Sequence, residues 1–210
     1  MDDEVLWKNR RGLTSKDTVA AVTQLRGYPF SVGLQMMTGM YGSDREKDLD
    51  TARQIISLKP DFVRIYPTIV LKQTVLYHLY SQGSYQPMEL EESVALSAEL
   101  LDLFDRASIP VIRLGLMAGE EVNEKEVIGP FHSSYRELVE SYRILREIER
   151  QLEGKTTEGK TLRIVCPKRM LSKVIGNRKK NRKLLEEKYG LSVVITPSDT
   201  FSSGLSVTLI

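Results

Sequence analysis

The stretch Phe30-Ser31-Val32-Gly33-Leu34-Gln35-Met36-Met37-Thr38-Gly39-Met40-Tyr41-Gly42 decides the fold. Its front is a short, nearly continuous apolar run, which is how a strand buried in a sheet reads. Its end carries glycines at 39 and 42 and reads as a turn. Upstream, Val19, Val22 and Leu25 fall at helical spacing, so a helix is expected over 15–26. Thr14 or Ser15 can cap it and Gly27 stops it. Downstream, Ser43 and Asp44 can cap a helix over 44–57, with Leu49, Ala52, Ile55 and Ile56 on one face. Phe62-Val63-Arg64-Ile65-Tyr66 is then a second strand, closed by Pro67.

Helix, strand, helix, strand is the order that builds a parallel sheet with crossover helices, so the fold class is α/β. The spacing further predicts helices over 69–82, 89–107 and 133–152, a strand over 111–116, and a loop over 117–131. Gly154 to Gly159 is a short polar linker. Beyond it come a strand (162–165), two short helices (169–175 and 179–189) and two strands (191–196 and 205–209). The chain divides into an N-terminal part, residues 1–153, and a small α/β module, residues 160–210.

Composition narrows the chemistry. Apolar residues make up 41% and charged residues 28% of the 210, enough for a hydrophobic core and typical of a globular chain. No apolar run approaches the ~20 residues that span a bilayer, and the acidic start is not a secretory signal, so a cytoplasmic protein is expected. The single cysteine, Cys166, cannot pair internally or hold a cluster alone, and reads as a small buried hydrophobe in a strand. His78 and His132 are far apart, and no metal-ligand spacing is visible, so no metal site is expected from these residues. The net charge of +2 conceals a split: residues 160–210 hold 11 Lys+Arg and 3 Asp+Glu, 11 − 3 = +8, leaving 19 − 25 = −6 elsewhere. A module of that charge suits a polyanion, or is simply a solvated basic face.

At Val32–Gly42 the residues become specific, and the run resembles a mid-barrel strand and turn of radical S-adenosylmethionine proteins, in particular the Elongator catalytic-subunit branch. Asn9-Arg10-Arg11-Gly12-Leu13-Thr14 is similar to the stretch upstream of it. Pro60-Asp61-Phe62-Val63-Arg64-Ile65-Tyr66-Pro67-Thr68, then Thr74, Leu76, Tyr80, Gly83, Tyr85 and Pro87, is similar to the stretch downstream, as is Gly129-Pro130-Phe131-His132 with Glu137-Leu138-Val139-Glu140. The resemblance implies a partial (β/α) barrel of parallel strands. It implies an enzyme that uses S-adenosylmethionine and an iron–sulfur cluster, related to those that modify a transfer-RNA uridine. It places Gln35, Met37, Gly39, Gly42, Arg64 and Tyr66 around the cofactor. Read without it, Gln35 and Met36–Met37 simply pack in a sheet.

The family's three-cysteine motif has no counterpart here, so no cluster is expected on this chain. The start resembles a point inside the family's barrel. The expectation is therefore the rear part of a truncated or split enzyme, inactive alone, with open sheet edges that invite a missing front half or a second copy. Arg64 and Tyr66 share a strand face, as do Arg113 and Gly115; such arginines reach carboxylates or phosphates, or pair with acidic neighbours. Lys72 and His132 have no visible partner.

Residues 174–195 resemble a K-homology RNA-binding core, in which a Gly-rich loop between two helices grips backbone nucleotides. The loop is Gly176-Asn177-Arg178-Lys179, ending in Lys rather than Gly. Lys173, Arg178, Lys179, Lys180, Arg182 and Lys183 are the expected contacts to transfer RNA or another RNA. The competing expectation is a non-catalytic RNA-binding or scaffold protein acting through this module.

Overall fold

A computed structural model describes residues 1–117, 126–199 and 204–210. They form two compact units, Met1–Tyr135 and Arg136–Ile210.

The first unit opens with two helices, α1 (Asp3–Lys8) and α2 (Ser15–Leu25). Thr14 is the cap of α2 and makes a capping box with Asp17: the Asp17 carboxylate accepts from the Thr14 amide at 2.7 Å. Strand β1 (Gly33–Thr38) follows, then α3 (Arg45–Ser57), β2 (Phe62–Pro67), a two-residue strand β3 (Val70–Leu71), α4 (Val75–Ser81), α5 (Leu90–Arg106), β4 (Val111–Leu114) and a two-residue β5 (Val127–Ile128). Three strands make a parallel sheet in the order β1-β2-β4. Parallel neighbours need crossover segments, and α3 and α5 lie in those connections.

The buried side of this sheet is Met36 and Thr38 of β1, Val63, Ile65 and Pro67 of β2, and Val111 and Leu114 of β4. Helix α3 packs on β1 and on α5, contributing Leu49, Ala52 and Ile55. Phe104 of α5 is fully buried. Tyr135 closes the unit: its hydroxyl is 2.6 Å from Ser93 Oγ and 2.9 Å from Ser97 Oγ, so three buried hydroxyls satisfy one another. No strand among the described residues pairs with the outer edge of β1.

The helix expected over 69–82 forms only from Val75. Val70 is fully buried in β3, which pairs antiparallel with β5, and Gln73 takes a left-handed φ of 65° that breaks any continuous helix. Thr74 restarts the chain as a helix, accepting from the Tyr77 amide at 3.1 Å. The loop expected over 117–131 contains β5, and its residues 118–125 lie outside the described residues.

The second unit begins along α6 (Tyr135–Leu152), which is followed by β6 (Thr161–Pro167), a 3₁₀ turn, α7 (Leu171–Ile175), a second 3₁₀ turn at Asn177–Lys179, α8 (Lys180–Tyr189), β7 (Ser192–Ser198) and β8 (Ser206–Leu209). The sheet order is β7-β6-β8, with β6 parallel to β7 and antiparallel to β8. Leu145, Ile148 and Leu152 of α6 join Leu162, Ile164, Val174, Leu185 and Val193 in one apolar cluster. Cys166 belongs to that cluster and is fully buried, which also raises the pKa of its thiol. No helix among the described residues is long and apolar enough to cross a membrane.

Candidate functional site

Strand alternation puts every second side chain of the first sheet on the face opposite the buried one. Residues 35, 64 and 113 are register partners across β1, β2 and β4, and residues 37 and 66 are partners on β1 and β2. That face therefore carries a row Gln35–Arg64–Arg113 and, one step toward the carboxyl ends, the pair Met37–Tyr66. Gln35, Arg64 and Arg113 are exposed; Met37 and Tyr66 are half-buried. A β-bulge between Val63 and Arg64 brings Arg64 opposite Arg113 and leaves Ile112 exposed. One face of an otherwise well-packed sheet thus presents two guanidinium groups, an amide, a phenol ring and a thioether.

The turn after β1 is held from all sides. Asp48 Oδ2 accepts from the Gly39 amide at 2.8 Å, and Asp48 Oδ1 from Ser43 Oγ at 2.7 Å. The Tyr85 hydroxyl donates to the Gly39 carbonyl at 2.6 Å, and Asn9 Nδ2 donates to the Tyr41 carbonyl at 2.8 Å. Lys47 donates to the Gly42 carbonyl at 3.2 Å. Gly39 and Gly42 have φ of 68° and 81°, conformations that glycine adopts without strain. The room a Cβ would need at Gly42 is taken by the Lys8 side chain, 2.7 Å away, and at Gly39 the nearest atoms belong to Met88, at 3.4 Å. The close approach at both glycines is made by this chain's own side chains. A cavity of about 200 Å³ opens beside β1, lined by Arg11, Leu13, Gln35, Met37, Met40 and Asp48 among others.

Sequence pattern gives neither Asp48 nor Tyr85 a role at this turn; the fold does. Burial pushes the Asp48 carboxyl up to about 6, against hydrogen bonds from Ser43 and Gly39 that lower it, and pushes the Tyr85 phenol up to about 12. A signal for Asp48 exists: it stands four and seven residues before Ala52 and Ile55, on the apolar stripe of α3. Because its folded pKa lies above its usual value of 3.8, Asp48 favours the folded state most at low pH. That contribution shrinks as pH rises through about 6. Replacing Asp48 by Asn is expected to remove about 2 kcal/mol of the stability difference between pH 4.5 and pH 7. Denaturant unfolding of both proteins at the two pH values checks this; an unchanged difference would contradict it.

In the second unit, Gly176 (φ 80°, ψ 156°) is followed by Arg178 and Lys179 in left-handed conformation, φ 51° and 64°. These two successive strained residues turn the chain from α7 into α8. The expected RNA contacts separate into two groups. Lys173 is ion-paired with Glu140, Arg182 Nε lies 2.9 Å from Glu186 Oε1, and Lys180 also has an interaction within the fold. Arg178, Lys179 and Lys183 are exposed, and nothing among the described residues pairs with them. His132 accepts from the Ser134 amide at 3.0 Å in a turn, His78 lies 3.0 Å from the Gln82 side chain within α4, and Lys72 is exposed. Among the described residues no three His, Cys, Asp or Glu side chains gather as metal ligands.

Residues 60–147 match the Radical_SAM C-terminal domain family. The chain is 36% identical over 97 residues to the tRNA uridine(34) acetyltransferase of Methanocaldococcus jannaschii, covering 45% of this chain and 18% of that protein. It is 26% identical over 172 residues to the protein of the same name from Dehalococcoides mccartyi, covering 78% of this chain and 38% of that one. It is 27% identical over 104 residues to human Elongator complex protein 3, covering 48% of this chain and 19% of the human protein. The chain thus spans less than two-fifths of these relatives. Residues 60–147 thus match the carboxyl-terminal domain of radical S-adenosylmethionine proteins, and the relatives of the chain include an Elongator complex protein.

Proposed function

We propose that this chain supplies one wall of the cofactor cleft of a radical S-adenosylmethionine enzyme that acts on transfer RNA, and that it does not complete the catalytic centre by itself. The observation that carries the reading is the exposed face of the β1-β2-β4 sheet, where Gln35, Met37, Arg64 and Tyr66 stand in register while the opposite face is packed. In a partial (β/α) barrel that face is the inner one, and ligands are met at the carboxyl ends of its strands. Gln35 has donors and an acceptor for the polar edge of a nucleoside. Tyr66 offers a ring face, Met37 an apolar contact, and Arg64 a fork for an anionic group. The rigid Gly39–Gly42 turn, latched to Asp48 and Tyr85, fixes where those strand ends point. Gln35, Met37, Arg64 and Tyr66 would hold and orient S-adenosylmethionine, which would supply radical chemistry only together with a cluster held outside this chain.

The residues do not fit the cluster. It needs cysteine thiolates, and the chain has one cysteine, buried in the β6 interior with its thiol pKa raised. The three-cysteine segment has to come from outside residues 1–210. Anaerobic reconstitution of this chain with iron and sulfide is expected to give no iron–sulfur absorption. A stable four-iron cluster on the chain would defeat the reading.

RNA contact through the second unit is supported by its Gly176–Lys179 link, which resembles a K-homology loop, and by the names of the relatives, which are for tRNA uridine(34). Arg178, Lys179 and Lys183 are exposed, pair with nothing among the described residues and would contact phosphates, so binding should weaken steeply with salt. Changing these three to Ala is expected to weaken transfer-RNA binding at least about tenfold in gel shifts at low salt. It should also flatten the salt slope by roughly two to three, because each phosphate no longer neutralised accounts for about one. Undiminished binding would remove the module from the RNA interface.

A further inference from the structure

We infer that Arg64 and Arg113 act as one clamp for the phosphate group of a nucleotide lying on the exposed face of the first sheet. The inference rests on reading this face as ligand-binding, and adds to it the class of ligand.

The two arginines are register partners on neighbouring parallel strands, so their backbones are about 4.8 Å apart and their side chains leave the same face. Like charges at paired strand positions repel. A surface arginine normally finds a carboxylate, yet neither of these pairs with one among the described residues, although the chain holds 28 Asp and Glu. The bulge between Val63 and Arg64 is what sets Arg64 against Arg113; in unbroken register, Arg64 would face Ile112. Local sheet irregularity thus places two unneutralised guanidinium groups together.

The number of donors selects the ligand. Two guanidinium forks present two pairs of parallel N–H groups and two positive charges. A carboxylate has two oxygens and one negative charge, which one fork satisfies. A phosphate monoester has three terminal oxygens and up to two negative charges, which two forks share. The neighbours identify the rest of the molecule: Tyr66 and Gln35 flank Arg64 along and across the strands, offering a ring to stack on a base and an amide to bond its edge.

The full chain would be titrated calorimetrically with uridine 5′-monophosphate, inorganic phosphate, uridine and acetate. The monophosphate is expected to bind best, phosphate more weakly, and uridine and acetate weakest. Arg64→Gln and Arg113→Gln should each weaken the monophosphate at least about tenfold. Each should also leave the melting temperature in phosphate-free buffer unchanged or higher, because removing one charge relieves the repulsion. A merely structural arginine would lower it. Wild-type affinity for the monophosphate in both variants would overturn the clamp. So would loss confined to Arg178→Ala/Lys179→Ala, acetate matching phosphate, or phosphate matching the monophosphate. S-adenosylhomocysteine is the separate probe of the cofactor cleft. If it binds while the monophosphate does not, the clamp fails and the cleft stands; the reverse result sinks the cleft and keeps the clamp.

Discussion

Replacing Gly176 by Ala is expected to destabilise the second unit by roughly 3–5 kcal/mol, a large share of what a unit of its size has. Two costs add. The backbone at Gly176, φ 80° and ψ 156°, is a conformation that L side chains rarely take. A Cβ there would stand 2.7 Å from the Asn181 backbone nitrogen and 2.9 Å from its Cγ. Asn181 cannot move aside. It is buried, and its side-chain amide donates to the Ser141 carbonyl at 2.9 Å, Ser141 Oγ at 3.0 Å and the Lys173 carbonyl at 3.2 Å. Shifting it leaves buried polar groups unpaired. Hydrogen exchange should show reduced protection across β6, α8 and β7. Gly12 is the control: its φ is also positive, at 68°, but nothing lies within 4 Å of an added Cβ, so Gly12→Ala should cost only about 1 kcal/mol. Equal effects at both positions would show that the packing against Asn181 contributes nothing.

Phe104→Ala is the counterpart in the first unit, with an expected loss of about 3–5 kcal/mol. Phe104 is fully buried near the end of α5, among Leu100 and Leu101 of the same helix. Truncation removes the transfer free energy of the ring and leaves a cavity that rigid helices fill poorly. Denaturant unfolding of the full chain should separate into two transitions, because each unit is compact in its own right, and only the first-unit transition should move. A single transition shifted as a whole would show that the two units unfold together.

The layout of elements was open to reading because it rests on short-range physics. The apolar spacing of α3, its Asp44 cap, and Pro60 before Phe62–Tyr66 each act within one or two turns of chain, and the structure places α3 and β2 there. Where the outcome depends on a distant partner, the pattern misleads. Residues 70–71 look as helical as their neighbours, but pairing with 127–128 makes them a strand. The Gln35-to-Gly42 run stands out in the sequence, yet Lys8 and Met88, far off along the chain, occupy the space beside its glycines. The pairing of Lys173 is likewise invisible in the sequence, because Glu140 reaches it from another helix, whereas Arg182 pairs with Glu186 one turn along its own helix.

An alternation of helices and strands, a split of charge between a basic carboxyl-terminal stretch and an acidic remainder, and a single cysteine where a cluster needs several are all legible along the chain. These follow from residue type and from spacing along the chain. Which side chains meet is settled by folding. Strand register, shifted by one bulge, put Arg64 beside Arg113. Burial under the β1 turn raised the pKa of Asp48. The arginines meet from well-separated strands and the carboxyl is buried by packing, and no local pattern encodes either because the energy exists only once the chain has closed on itself.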